Sequence, residues 1–140
     1  MVYVDTSILV AAFTPEPRTS DMQAWLGEQP AGELAISDWV RTEFSAALSM
    51  KVRGGFLQPQ ERAEVLALFA EVVEQSCEVL PVTSLDFRVG ARFADQHTTG
   101  LRAGDALHLA VAANTGARIR ALDKGLVAAA HALGVSAELL

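Results

Sequence analysis

Four acidic residues, Asp5, Glu43, Asp105 and Asp123, fall where ordinary surface charge does not. Asp5 closes the short apolar run of residues 2–4, and Asp123 closes a later one at residues 118–122. In open parallel sheets, ligands bind in the crevice beyond the carboxyl ends of the strands, so aspartates at two such ends can face one site. Glu43 lies inside a long helical pattern. At about 100° per residue, Val40, Phe44, Ala47 and Leu48 share a face, and Glu43 falls at its border. Asp105 opens residues 106–113, a helix apolar almost all round and therefore expected to be buried. A carboxylate drawn out of water in this way needs something positive to meet it.

Oxygen ligands alone suit hard cations such as Mg²⁺ or Mn²⁺. A carboxylate-held cation can activate water and neutralise the charge building on a phosphate, which is the logic of phosphodiester hydrolysis. Each acid also has a purely structural reading. Asp5, followed by Thr6-Ser7, is a candidate helix cap. Asp105 suits the positive end of its own helix. Asp123 suits a turn or cap, and Glu43 a buried pair with an arginine. His97, His108 and His131 show no zinc-ligand spacing. His108 reads as a satisfied core histidine, His97 and His131 as surface residues. The chain holds no Gly-x-x-x-x-Gly-Lys loop, no Gly-x-Gly-x-x-Gly turn and no Gly-x-Ser-x-Gly elbow, so the competing phosphate-cradle and serine-nucleophile chemistries fit poorly.

The elements that must position these residues follow from short β-like runs alternating with longer helical ones. Strands are expected at residues 2–4, 34–36, 78–82 and 118–122, with a possible edge strand at 135–139. Helices are expected at 7–13, 19–28, from Ser37 to Gly54-Gly55, 59–75, from Ser84 to Gln96, 103–114 and 124–133. Thr19 or Ser20, Ser37 and Ser84 are the expected N-caps. Residues 97–100 read as a polar loop. Strands separated by helices imply βαβ units and a parallel sheet between helix layers. The expected fold class is therefore α/β, a small three-layer α/β/α sandwich, in one domain over residues 1–140.

The bulk composition agrees. The chain has 140 residues, 51% of them hydrophobic and 20% charged, which is globular composition. No apolar run approaches the ~20 residues of a membrane helix, and Met1-Val2-Tyr3 does not read as a secretory leader. The lone Cys77 is expected to be a small buried hydrophobe in a reducing compartment. The net charge of −6 argues against a general nucleic-acid coat protein but not against an enzyme that gathers its acids at a metal site.

The same residues carry a family likeness. The chain resembles the PIN-domain nucleases, and among them the VapC-type toxins of prokaryotic toxin–antitoxin pairs. The matching pieces are Val4-Asp5-Thr6-Ser7-Ile8-Leu9, Glu43 in the helix after the second strand, Gly104-Asp105-Ala106-Leu107-His108-Leu109-Ala110, and Leu122-Asp123. No single piece is specific; all four in this order are. The resemblance implies an α/β/α sandwich in which Asp5, Glu43, Asp105 and Asp123 hold Mg²⁺ or Mn²⁺, with Thr6 or Ser7 orienting Asp5 or the attacking water. It implies no histidine base, an RNA substrate, a cognate VapB-type antitoxin, a homodimer and a cytoplasmic location. One departure stands out: Ala121 occupies a position where many relatives carry Thr or Ser, and Lys124-Gly125-Leu126 holds no further acid. Arg102 and Arg41, with Lys51 and Arg53 behind them, are the candidates to contact RNA phosphates. The alternative is a catalytically inactive PIN-like module that binds RNA or protein.

Overall fold

The computed structural model describes residues 1–140. Five strands, β1 (Val2–Val4), β2 (Leu34–Ser37), β3 (Cys77–Leu80), β4 (Arg118–Ala121) and β5 (Ala137–Leu139), form one sheet in the order β3-β2-β1-β4-β5. Every pairing is parallel, and in the centre Tyr3 stands between Ala35 and Ile119. Seven helices connect the strands: α1 (Thr6–Phe13), α2 (Thr19–Gly27), α3 (Asp38–Arg53), α4 (Pro59–Ser76), α5 (Ser84–Ala94), α6 (Ala103–Thr115) and α7 (Lys124–Ala132).

The chain leaves β1 in one direction, through β2 to β3, then returns across to β4 and β5. Right-handed crossovers put α1 to α4 on one face and α5 to α7 on the other. The three-layer α/β arrangement expected from the sequence is thus the one observed. The reversal of direction falls between β1 and β4, beside the carboxyl ends of both.

The core explains why these segments dock. On the α1–α4 face, Phe44 of α3 stacks on Phe69 of α4 at 4.1 Å, and Phe13 of α1 meets both edge-on at 5.9 Å. This aromatic cluster joins three helices. On the other face, α6 buries an unbroken run, Ala106 to Ala112, as its all-round apolarity predicts.

Several boundaries differ from the sequence expectation. The third strand begins at Cys77, because α4 runs straight into it, and it ends before Pro81, which has no N–H for a ladder. Cys77 is therefore half-buried at the sheet edge, not a core residue. Thr83, not Ser84, caps α5, in a reciprocal box with Asp86. Neither Thr19 nor Ser20 caps α2. The Thr19 hydroxyl accepts from Glu16 N–H and donates to the Thr14 carbonyl, bracing the Pro15–Pro17 turn. The polar segment His97–Thr99 closes as a 3₁₀ turn, ended by Gly100 at φ 68°, a backbone conformation that suits glycine. No helix is long and apolar enough to cross a membrane.

Candidate active site

Asp5, Glu43, Asp105 and Asp123 line one open cleft of about 530 Å³ at the carboxyl edge of the sheet, beside the point where the connections reverse. The lining includes no lysine or arginine.

Asp5 is the best fixed of the four. Its N–H donates to the Arg120 carbonyl at 3.0 Å, which extends the β1–β4 pairing by one step. Its Oδ2 accepts from the Ser7 N–H at 2.9 Å and the Ser7 hydroxyl at 2.5 Å. The Ser7 hydroxyl in turn accepts from Leu122 N–H at 3.0 Å. Ser7 therefore ties Asp5 to the end of β4, while the second residue expected to serve Asp5, Thr6, serves Glu43 instead.

Glu43 reaches the cleft from the middle of α3, and Oε2 accepts from the Thr6 hydroxyl at 2.8 Å and meets His108 Nε2 at 2.5 Å. Its partner is thus a histidine, not an arginine. Burial works against the Glu43 charge, but the bond and charge of His108 and the Thr6 hydroxyl outweigh it and hold the carboxyl below its ordinary range. Gly104 makes room for this carboxylate: a Cβ there would stand 2.8 Å from Oε1 and 3.3 Å from the Trp39 ring.

His108 is buried, 1% exposed, as a core histidine should be, yet it also lines the cleft. Nδ1 is 2.8 Å from the Tyr3 hydroxyl, which is 2.7 Å from Ser37 Oγ. Nε2 lies 3.7 Å from Asp5 Oδ1 as well. Burial would lower the His108 pKa; the hydrogen bond to Glu43 and the charges of Asp5, Glu43 and Asp105 carry it above its ordinary value. Burial pushes the Tyr3 phenol well up, so it remains a neutral hydroxyl. Sequence reasoning missed this chain of contacts. Its one visible signal was that His108 lies a single helical turn beyond Asp105.

Asp105 occupies the first turn of α6, where Oδ2 accepts from the Arg102 N–H at 3.3 Å. Burial raises its pKa above the ordinary value, helped by the negative charges of Asp123 and Asp5 and opposed by the Arg102 N–H hydrogen bond and the charge of His108. Asp123 is exposed and caps α7, its Oδ1 accepting from Gly125 and Leu126 N–H at 2.7 and 3.0 Å. The structural readings of Asp5, Asp105 and Asp123 therefore hold together with a shared cleft: each gives one oxygen to a helix start. Three helix N-termini consequently converge on the cleft, and their dipoles favour negative charge there.

No three of the acids close on a single point as they stand, so the cleft holds no preformed metal cage. The donor chemistry nevertheless suits a hard cation: carboxylate oxygens from four elements, no lysine or arginine among them, and mutual repulsion already felt at Asp105. Arg102 borders an adjoining polar depression of about 340 Å³ that shares Asp105 and Asp123 with the cleft. Arg41 is exposed on α3 and lines neither. Lys51 is committed to Glu16 at 2.7 Å.

The PIN domain family model matches residues 2–132. Three solved structures share the fold. FitAcB from Neisseria gonorrhoeae aligns at TM-score 0.71 and 20% identity, over 98% of this chain and 96% of that one. Mycobacterium tuberculosis VapC20, described as a sarcin–ricin loop cleaving toxin, aligns at TM-score 0.72 and 19% identity, over 92% and 95%. A toxin–antitoxin complex from Klebsiella pneumoniae aligns at TM-score 0.64 and 15% identity, over 88% and 87%. No curated protein matches the sequence.

Proposed function

Since the chain belongs to the PIN domain family, we propose that it is a divalent-metal endoribonuclease and the toxin of a toxin–antitoxin pair. The observation that carries this reading is the convergence of Asp5, Glu43, Asp105 and Asp123, from four separate elements, on one cleft with no lysine or arginine in its lining. Acids crowded until one of them, Asp105, is held less willing to ionise are costly to a fold that gets no return from it.

In this reading Asp5, Glu43, Asp105 and Asp123 hold Mg²⁺ or Mn²⁺. Bound there, the ion would supply charge neutralisation at the scissile phosphate and activation of water. The chain's own residues do the rest. Ser7 fixes the orientation of Asp5 through two hydrogen bonds to Oδ2, and Thr6 and His108 do the same for Glu43. Asp105 and Asp123 are less constrained, with one oxygen each on a helix start, and their side chains must turn inward to close the site. Arg102, beside Asp105 and Asp123, is placed to meet a flanking phosphate of the RNA; Arg41 would act farther out. The protein should cleave structured RNA with Mg²⁺ or Mn²⁺, and EDTA should stop it. Cleavage that persists in EDTA would rule the mechanism out.

The partner follows from the charge of the cleft. An inhibitory segment bearing arginine could pair with Asp5 and Asp105 in a bidentate fork, and several similar structures are complexes described as VapBC or as a toxin–antitoxin pair. We therefore read a VapB-type antitoxin as the partner and a homodimer as the working unit, in the cytoplasm. Co-purification from the native host should recover the antitoxin. A chain that purifies alone and is harmless when expressed would remove the toxin role.

A further inference from the structure

We propose that His108 and Tyr3 are positioning residues of the cleft: a buried hydrogen-bonded chain running Ser37–Tyr3–His108 fixes the Glu43 carboxylate for cation binding. The inference rests on the metal-site reading of the preceding section and adds residues that no acid count would find.

The geometry is continuous. Ser37 Oγ accepts from Val40 N–H at 3.4 Å and meets the Tyr3 hydroxyl at 2.7 Å; the hydroxyl meets His108 Nδ1 at 2.8 Å; Nε2 meets Glu43 Oε2 at 2.5 Å. Ser37, Tyr3 and His108 are 0%, 0% and 1% exposed. Bulk water does not reach these groups, and their hydrogen bonds are made to one another within the protein.

The donors can be assigned at the end that matters. Glu43 is ionised and accepts only, so the hydrogen in the Nε2–Glu43 contact belongs to the imidazole. This is true whether the ring is neutral or charged. In a neutral ring Nδ1 accepts from the Tyr3 hydroxyl, which accepts from Ser37. In a charged ring Nδ1 donates to Tyr3, which donates to Ser37. Either way, Tyr3 keeps the ring turned so that Nε2–H faces Glu43. The edge-on packing of the Tyr3 ring, with centroids 5.7 Å apart, adds steric restraint.

The consequence falls on Glu43. The hydrogen bonds from His108 and from Thr6 both go to Oε2, and the Trp39 indole beside Gly104 further favours the carboxylate's charge. The carboxylate is thus gripped through one oxygen, and the cost of ordering it is met in folding and not on cation binding. Groups that orient a metal ligand from behind typically govern affinity by about 10–100-fold.

The test uses the full chain, purified free of any partner, with Mn²⁺ alone as the probe. Dissociation constants are measured by calorimetry well below the melting temperature, together with Mn²⁺-dependent RNA cleavage. His108→Leu keeps the volume and removes the donor, and should weaken Mn²⁺ binding about 10–100-fold. Tyr3→Phe keeps the ring and removes only the hydroxyl, two links from Glu43, and should weaken it several-fold. His108→Gln, which offers an amide donor, should recover part of the loss. If His108→Leu does not fold, the Tyr3→Phe and His108→Gln measurements still decide. Variants that melt lower but bind Mn²⁺ with the parent's affinity would overturn the proposal and leave the chain as core packing. A parent that binds no Mn²⁺ would overturn the metal-site reading and this inference with it.

Discussion

Asp105→Asn separates the repulsion inside the cleft from the support that each acid gives its helix. Oδ2 of Asp105, in the first turn of α6, accepts one hydrogen bond, from Arg102 N–H at 3.3 Å, and an asparagine side-chain oxygen can still accept it. The exchange therefore costs little on that account. Against it stands the removal of a half-buried charge that faces Asp123 and Asp5. Burial and those charges raise the Asp105 pKa in the folded protein. A raised carboxyl pKa means that the folded state is penalised once the group ionises. The penalty is absent below the unfolded value of about 3.9 and fully present above the raised folded value. In EDTA near neutral pH the variant should melt at or above the parent's temperature, and its advantage should vanish as the pH falls below about 4. Magnesium reverses the order. At a hundredfold excess over its dissociation constant it should stabilise the parent by ~2.7 kcal/mol, roughly 10 °C for a chain of this size. The variant should lose most of that gain and all cleavage. Thermal melts with and without Mg²⁺ at two pH values, beside an RNA assay, provide the measurement. A variant that melts far lower in EDTA, with a parent indifferent to Mg²⁺, would refute the reasoning and return Asp105 to the scaffold.

Two further outcomes follow from particular contacts. Gly104→Ala places a methyl 2.8 Å from Glu43 Oε1, so the carboxylate must shift; Mn²⁺ affinity and cleavage should fall at least about tenfold, and unchanged affinity would show that Glu43 has slack. Asp86, remote from the cleft, accepts from Thr83 N–H, the Thr83 hydroxyl and Asn114 at 2.7, 2.7 and 2.6 Å. Burial opposes its ionisation, but these bonds hold its pKa below the ordinary value. Its stabilisation is therefore present above the unfolded carboxyl value and lost as the pH falls through the depressed folded one. Asp86→Ala should cost about 2–3 kcal/mol at neutral pH by stranding three donors, while folded protein keeps its cleavage rate. A denaturation midpoint unmoved at pH 7 would contradict this.

The contrast between Asp86 and the cleft acids shows what a sequence displays. Asp5 and Asp123 were legible as acids closing apolar runs, Asp105 as a charge on an otherwise apolar helix, and Glu43 by its helical phase. Those are local properties, read over a few residues. The three-layer sheet was legible for the same reason, from alternating periodicities. What was not legible is pairing at long range. Tyr3 and His108 are 105 residues apart in sequence, and His108 and Glu43 are 65; nothing in the local pattern says that a core histidine would turn one nitrogen toward a carboxylate. The third strand starts one residue before the expected position because α4 continues into it with no turn residue between, and ends two residues before it because Pro81 cannot extend the ladder. Thr83 was overlooked as a cap because Ser84 beside it looks equally suitable, and only the reciprocal bond with Asp86 decides between them.

The place of β1 in the sheet also dictates an order of assembly. This strand, the first made, is flanked by β2 and by β4, and β4 follows it by more than a hundred residues. As the chain emerges from a ribosome, β1, β2 and β3 can pair early, but one edge of β1 stays bare until Arg118–Ala121 arrives to cover it. Ser7 then finds Leu122, and Asp123 completes the cleft. Long-range closure of this kind is slow compared with local pairing. A partly synthesised chain holds at most three of the four acids, and no arrested fragment that ends before β4 should cut RNA, a result that a cleavage assay on stalled chains can check. If the cleft acts as proposed, its chemistry must wait until the chain has been made through Asp123, and an inhibitor translated alongside would have time to be waiting when the last acid comes into place.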